Sequence, residues 1–405
     1  GLRSFIKSKP RVCWMTSFRV TSDRNKVVLP GGTIGVFGGG QLGRMFCHAA
    51  QRLGYQVVVY TDEADSPAAQ VASQCVVGDY KDVDLVKSFA KRIDVATLEF
   101  ENIPLIAVET AQEFVPVRPG HGVLAVAQNR LKEKSTLRDF GFPVTPFHEV
   151  RSYSDVLNAS GLLGWPMVIK TASGGYDGKG QRKVSNSTQA NDALEILGPE
   201  PLIAEKWIEY VAEVSVLVAR NPVGQIEAYP MFTNSHRNHI LDLTTVPARE
   251  ELCHVESKAL EISKGIAESL VLEGLICVEM FVDKDGALMV NELAPRPHNS
   301  GHLTIEASAV SQFEQQVRAV CNLPLGDVSA CRPAAMVNLL GDLWSQERAP
   351  DWTNVLAQAD AHLHLYGKAQ SRVGRKMGHL TVLAKSASEA ARLAFELRDT
   401  RNTGE

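Results

Sequence analysis

At 405 residues the chain is too long for one core and fits two to four domains. Its 44% hydrophobic and 22% charged residues are ordinary for a globular protein, and a net charge of −4 excludes a general attraction to nucleic acid or anionic membrane. A phosphate site must therefore be built locally. No apolar run is long enough to span a bilayer. Cys13, Cys47, Cys75, Cys253, Cys277, Cys321 and Cys331 are scattered and lack a CxxC spacing, which points to reduced core thiols in a cytoplasmic protein rather than to disulfides or zinc.

Residues 1–30 carry Arg3, Lys7, Lys9, Arg11, Arg19, Arg24 and Lys26 against one acid, Asp23. They are set aside as a targeting remnant or a poorly ordered extension. Thr33–Phe37 then reads as a strand, and Met45, Phe46, Ala49 and Ala50 mark the apolar face of a helix running to Leu53. Tyr55–Tyr60 is the next strand. Gly38, Gly40 and Gly43 between the first strand and the helix match GxGxxG, with Asp62 after the second strand. Both a dinucleotide fingerprint and a plain phosphate turn fit. Cys75–Val77 and Val95–Leu98 are further strands around a helix at Val83–Arg92. Glu99 and Glu101 follow at the carboxyl end of the fourth strand, where open α/β sheets bind ligands, or else they begin the next helix beside Pro104.

Arg130–Phe140 is an amphipathic helix rich in Lys and Arg, and Pro143 and Pro146 mark a linker. Strand patterns follow at Met167–Lys170, Arg182–Val184, Leu202–Glu205, Glu213–Ala219 and Ile226–Tyr229, with a helix at Thr188–Leu197. This predicts a smaller α+β unit. Its hairpin is Lys170–Gln181, KTASGGYDGKGQ, where Gly174, Gly175, Gly178 and Gly180 lie between Lys170 and Lys179. The loop is either a triphosphate clamp or a solvated turn. Glu205-Lys206-Trp207-Ile208 fits an adenine hinge, with Trp207 or Ile208 over the ring, or an ordinary strand end.

A helix at Lys258–Leu272 precedes Ile276–Val282 and Ala287–Leu293, two apolar runs joined by Asp285-Gly286, hence a β-hairpin. Each run holds one acid, Glu279 or Glu292. Opposed side chains on paired strands come within about 5 Å, so the two carboxylates need neutralising, and Mg²⁺ on nucleotide phosphates does that. The next loop, Ala294–His302, is crowded with polar groups. Arg296 can hold a phosphate or an oxyanion, and His298, Asn299 and His302 can read a polar substrate. The tail offers strands at Ala335–Leu340 and His362–Tyr366, a basic turn at Ser371–His379 and a helix at Ala387–Leu397.

The lysine strand with its glycine-rich lid, the Glu–Lys–apolar hinge and the acidic hairpin resemble the ATP-grasp superfamily. Within it, GGGQLGRM (38–45), GGYDGKGQ (174–181), NELAPRPHNSGH (291–302) and GRKMGH (374–379) resemble the N5-carboxyaminoimidazole ribonucleotide synthase family over about residues 33 to 384. The fold this implies is α/β and α+β. An N-terminal open parallel α/β domain (31–140) follows the extension (1–30), then an ATP-grasp lid subdomain (141–222), a central subdomain (223–330) and a small C-terminal domain with a polar tail (331–405). The resemblance also turns the first glycine motif into a substrate-phosphate turn. ATP is expected on Arg130, Lys170, Gly175, Tyr176, Asp177, Gly178, Lys179, Gly180, Gln181, the hinge Glu205, Lys206, Trp207 and Ile208, then Glu213, His236, Asn291 and Glu292. Mg²⁺, as two ions, is expected on Glu279 and Glu292. Tyr176, Asp177, Lys179, Arg296 and an acid of the Glu99/Glu101 pair are the expected catalytic group. Gln41, His298, Asn299, Arg372 and Lys376 are expected on the ribonucleotide. The implied reaction carboxylates 5-aminoimidazole ribonucleotide with bicarbonate and ATP through carboxyphosphate, in purine biosynthesis. A homodimer and a separate downstream mutase go with it. The rival readings are another ATP-grasp ligase with a different acceptor, and a nucleotide-binding scaffold without chemistry.

Overall fold

The computed structural model describes residues 25–174, 180–345 and 348–399. The first unit contains β1 (Thr33–Phe37), α1 (Gln41–Arg52), β2 (Gln56–Thr61), β3 (Gln74–Val77), α2 (Val83–Ala90), β4 (Val95–Leu98), α3 (Leu105–Gln112) and α4 (His121–Ala127). Its four strands are parallel in the order β3-β2-β1-β4. The strand order reverses between β1 and β4, which opens a crevice at their carboxyl ends. α1 forms because Leu42, Met45, Phe46, Ala49 and Ala50 share one buried face.

α5 (Arg130–Asp139) leads to a second, antiparallel sheet. It holds β5 (Phe147–Val150), β6 (Met167–Thr171), β7 (Gln181–Val184) and β8 (Leu202–Lys206) in the order β5-β8-β6-β7, covered by α6 (Tyr153–Leu163) and α7 (Ser187–Leu197). Both helices start at a side-chain cap, Ser152 accepting from Asp155 N–H and Asn186 from Gln189 N–H. β6 and β7 are the expected hairpin, with Lys170 opposite Gln181.

The third sheet has nine strands and unites the rest: β9 (Tyr210–Arg220), β10 (Ile226–Ala228), β11 (Phe232–Arg237), β12 (Ile240–Val246), β13 (Gly274–Asp283), β14 (Leu288–Ala294), β15 (Ala334–Leu340), β16 (Ala361–Leu365) and β17 (Lys376–Leu383). The helices are α8 (Cys253–Ser269), α9 (Thr304–Ala307), α10 (Gln312–Val320), α11 (Thr353–Leu356) and α12 (Ala387–Asp399). Two expectations change here. β9 does not belong to the lid sheet: it pairs with β13 along its whole length, because Val214, Val216 and Val218 are needed in the central core, and β10, within the expected central bounds, pairs with it. The basic segment is a turn only as far as Arg375. From Lys376 the chain is strand β17, buried from Met377 on between β15 and β16.

The β13–β14 hairpin closes at Gly286, whose φ of +79° favours glycine. Asp283 fixes the turn by accepting from the N–H groups of Asp285 and Ala287. Val278, Met280, Val282 and Val290 turn into the main core, where each buried side chain contributes about 1.5–3 kcal/mol. α10 packs Phe313, Val317 and Val320 against α1, which docks the N-terminal unit beside the hairpin. Among the described residues no helix is long and apolar enough to cross a membrane.

Candidate active site

Glu279 and Glu292 are direct cross-strand partners, as expected, and a one-residue register shift between Glu279 and Met280 is what brings them opposite each other. They are not equivalent. Glu279 Oε1 accepts from His298 Nε2 at 2.6 Å. Burial alone would raise its carboxyl, but His298, His236 and Arg296 outweigh that and hold it down at about 2. The Glu292 side chain is exposed and has no hydrogen-bond or ion-pair partner among the described residues. The cleft walls, then the charge of Glu279, push its carboxyl above the ordinary value. Two facing carboxylates, one with no protein partner among those residues, are a donor set that fits a hard divalent cation. On the next strand Glu213 Oε2 binds His236 Nδ1 at 2.7 Å, and that partner keeps His236 above its usual range despite burial.

The lid contributes the other wall. Lys170 Nζ donates to Glu205 Oε2 at 2.7 Å. Glu205 ends β8, and burial would push it up, but Lys134 and Lys170 lower it further than burial raises it. Arg130 donates from Nη1 to the carbonyls of Thr171 and Gly174, at 3.1 and 2.5 Å, so it holds the base of the lid loop. Gly175, Tyr176, Asp177, Gly178 and Lys179 lie outside the described residues. Gly180, at a φ of +73°, and Gln181 resume the strand pairing. Lys206 uses its backbone N–H on Pro146 O, and Ile208 is half-buried. Trp207 is exposed rather than in the core, and Lys183 Nζ lies 3.6 Å from its ring centre, so a cation covers one face. Asn291 offers its carbonyl to Lys134 at 2.8 Å.

The third wall is the crevice of the parallel sheet. Glu99 is buried and accepts from Gly40 N–H (2.9 Å) and Gly43 N–H (3.3 Å). The glycine turn at the start of α1 therefore already holds an anion, and it is the protein's own carboxylate. A Cβ on Gly38 would collide with Glu99 Cγ. The expected substrate-phosphate turn is corrected on this point. Burial leaves Glu99 above its ordinary value despite those hydrogen bonds. Glu101 also points inward and takes a bidentate pair from Arg296, at 2.6 and 2.9 Å. Arg296 is thus neutralised by a carboxylate rather than left open for a phosphate.

The loop after β14 is more self-satisfied than its composition implies. Asn299 Nδ2 donates to Asn338 Oδ1 at 3.0 Å. His298 bridges Glu279 and Ser300, and its neighbours Cys277 and Glu279 push it to about 10 against its burial. His302 is no substrate reader. It is buried, with its ring on Phe313 and His379. Gln41 opens α1 at the crevice, half-buried. Arg372 and Lys376 meet Arg375, the third cation of the expected basic turn, and Lys368, which the sequence reading missed. Gln70, bonded to Arg44 of α1, accepts this segment by donating to Gly367 O at 2.9 Å. Lys368 faces Glu99, and burial together with Arg375, Lys376 and Arg372 lowers its ammonium to about 8. The other missed residues are Glu133 and Lys134 on α5, both buried.

Residues 135–313 match the ATP-grasp domain family, 32–128 the ribonucleotide synthetase preATP-grasp domain, and 334–393 the phosphoribosylaminoimidazole carboxylase C-terminal domain. The chain is 40% identical to the N5-carboxyaminoimidazole ribonucleotide synthase of Bacillus subtilis (strain 168), over 90% of this chain and 94% of that one. It is 40% identical to the bifunctional purine synthesis protein purC/E of Dictyostelium discoideum, over 88% of this chain and 37% of that protein. The structure of the Aspergillus clavatus N5-carboxyaminoimidazole synthase in complex with ADP and 5-aminoimidazole ribonucleotide matches with a TM-score of 0.84, at 32% identity, covering 92% of this chain and 98% of that one. With its acidic hairpin, its lysine-bearing lid and its glycine turn in one cleft, the chain belongs to the N5-carboxyaminoimidazole ribonucleotide synthase family of ATP-grasp ligases.

Proposed function

We propose that the chain carboxylates the amine of 5-aminoimidazole ribonucleotide, with bicarbonate as carbon source and ATP as activator. The observation that carries this reading is the Arg296–Glu101 pair. It joins the loop after the acidic hairpin to the end of β4, so a nucleotide wall and an acceptor wall share one cleft. ATP lies between Lys170, Arg130 and Glu205 on one side and Glu213, His236, Asn291 and Glu292 on the other. Lys206, Trp207 and Ile208 border its base. Glu279 and Glu292 would hold Mg²⁺, which supplies charge neutralisation on the phosphates. Two ions remain part of this proposal.

The chemistry asks for two steps. A bicarbonate oxygen attacks the γ-phosphorus, the β–γ bond breaks, and ADP and carboxyphosphate result. The amine nitrogen then attacks the carboxyphosphate carbon, phosphate leaves and the nitrogen loses a proton. Anions must meet in the first step, so fixed cations and positioning carry it. Arg296, held flat by Glu101 and donating from Nη1 to Pro297 O at 3.0 Å, supplies positive charge beside the bicarbonate. Glu99 takes the amine proton, which suits a carboxyl raised by burial. The acceptor's phosphate goes to Lys368, Arg372, Arg375 and Lys376, since the glycine turn is filled. Gln41, His298 and Asn299 line the path between. Tyr176, Asp177 and Lys179 shield the labile intermediate from water.

A cytoplasmic location, a homodimer and a separate mutase that consumes the product complete this reading. The test is ADP release with bicarbonate and the ribonucleotide, and with each omitted. Release that needs both supports the reading. Turnover indifferent to both overturns it.

A further inference from the structure

Lys134 belongs to no motif, and it occupies the most enclosed charged position beside the cleft. It is 1% exposed, its helix neighbour Glu133 3%, and Glu205 4%. Its ammonium meets three segments of chain. It donates to Thr145 Oγ1 in the linker at 2.6 Å and to the Asn291 carbonyl on β14 at 2.8 Å. It faces Glu205 Oε1, at the end of β8, across 3.7 Å. That oxygen has no hydrogen bond among the described residues, while its twin Oε2 is taken by Lys170. The charge of Lys134 is therefore what compensates the inner half of the Glu205 carboxylate.

The rest of the α5 first turn acts in the same direction. Glu133 Oε2 accepts from Leu293 N–H at 3.2 Å, next to Glu292. Arg130 grips the base of the lid loop. One turn of one helix thus touches the lid strand, the lid loop and the acidic hairpin. A residue placed only to fill space would be apolar, as Leu137 is one turn on. Removing one partner of a buried ion pair leaves the other charge uncompensated, so Lys134 and Glu205 depend on each other.

We propose that Lys134 is a positioning residue for the nucleotide. By holding Glu205 on the lid and the Asn291 carbonyl on β14 to one ammonium, it sets the spacing between Lys170 and the Glu279–Glu292 pair. It does not touch the reacting atoms. The inference rests on the reading that this cleft takes ATP.

The experiment uses the full chain with ADP and Mg²⁺ as the calorimetric probe, and separate KM values for ATP and for 5-aminoimidazole ribonucleotide. Lys134→Met keeps the length and removes the charge. It should weaken ADP binding and raise the KM for ATP about tenfold, the size of one lost charged hydrogen-bond partner, with the KM for the ribonucleotide within about twofold. Adding Glu205→Gln should cost less in the Lys134→Met background than in the wild type, because both remove the same pair. A folded Lys134→Met chain with wild-type ADP affinity overturns the proposal alone. So do fully additive effects. Wild-type protein that binds no ADP overturns the nucleotide reading and this proposal with it. If Lys134→Met does not fold, Thr145→Val removes one ammonium partner, and about threefold weaker ADP binding is expected. Unchanged affinity there overturns the proposal.

Discussion

The two sides of the cleft handle charge in opposite ways. On the nucleotide side, Lys170 and Lys134 converge on one carboxylate, Glu205, and the cations are matched before any ligand arrives. On the acceptor side, Lys368, Arg372, Arg375 and Lys376 crowd one another, with Glu99 as the carboxylate facing Lys368. The first arrangement is preorganised: its geometry is fixed by the protein's own ion pairs. The second sets like charges side by side, and burial together with those charges lowers the ammonium of Lys368. In the proposed function, the first wall takes the nucleotide and the second the phosphate of the acceptor.

The comparison breaks most clearly at Glu292. Glu292→Gln should cut ADP release about a hundred- to a thousandfold, as removal of a key electrostatic group does, while ribonucleotide binding measured by calorimetry stays within about twofold. Equal loss on both sides would mean that the walls are one site. Gly38→Ala should act on the opposite wall. The added methyl meets Glu99, so kcat/KM for the ribonucleotide should fall about thirtyfold or more, by a misplacement at the reacting centre, with ADP affinity retained.

Lys368 sharpens the contrast through pH. Its folded value is lowered to about 8, so it is a cation below that pH and neutral above it. Binding of a phosphate dianion should therefore weaken as pH rises through 8. The expected sign is a fall of kcat/KM for the ribonucleotide above pH 8 with an unchanged KM for ATP, and Lys368→Met should abolish the fall while lowering kcat/KM about tenfold at pH 7. The smallest effect belongs to the hairpin turn. Gly286→Ala forces an alanine to a φ of +79°, at about 1 kcal/mol of stability in a denaturant melt, with ADP affinity unchanged.

Much of this architecture was legible in the chain. The alternation of β13 and β14 around Asp285-Gly286 made the hairpin and its two acids legible, but the turn's register alone would set Glu279 opposite Asn291, and the one-residue shift between Glu279 and Met280 that brings Glu292 there has no local signal. The first strands and α1 were legible for the same periodic reason. Charge burial was not. Glu133 and Lys134 sit in a helix whose composition reads as a solvated face, and only distant partners, Glu205 and Asn291, make them interior. α10 escaped because its buried face includes Gln312, Gln315 and Gln316, whose amides bond to His298, Gly326 and Thr97. Hydrophobic periodicity does not register a polar side chain that is buried by hydrogen bonding. The glycine turn was found, but its occupant, Glu99, comes from a strand about sixty residues on, and no local pattern announces that. β9 was a strand by pattern and was assigned to the wrong sheet, since pairing partners are chosen by the core and not by sequence order.

The most direct test of the account follows one oxygen atom. With bicarbonate labelled with ¹⁸O, ATP and 5-aminoimidazole ribonucleotide, attack of bicarbonate on the γ-phosphorus leaves one bicarbonate oxygen in the released phosphate. Mass analysis of that phosphate should show a single label. Unlabelled phosphate, released with full carboxylation of the ribonucleotide, would contradict the proposed order of steps and the two-walled cleft built around it.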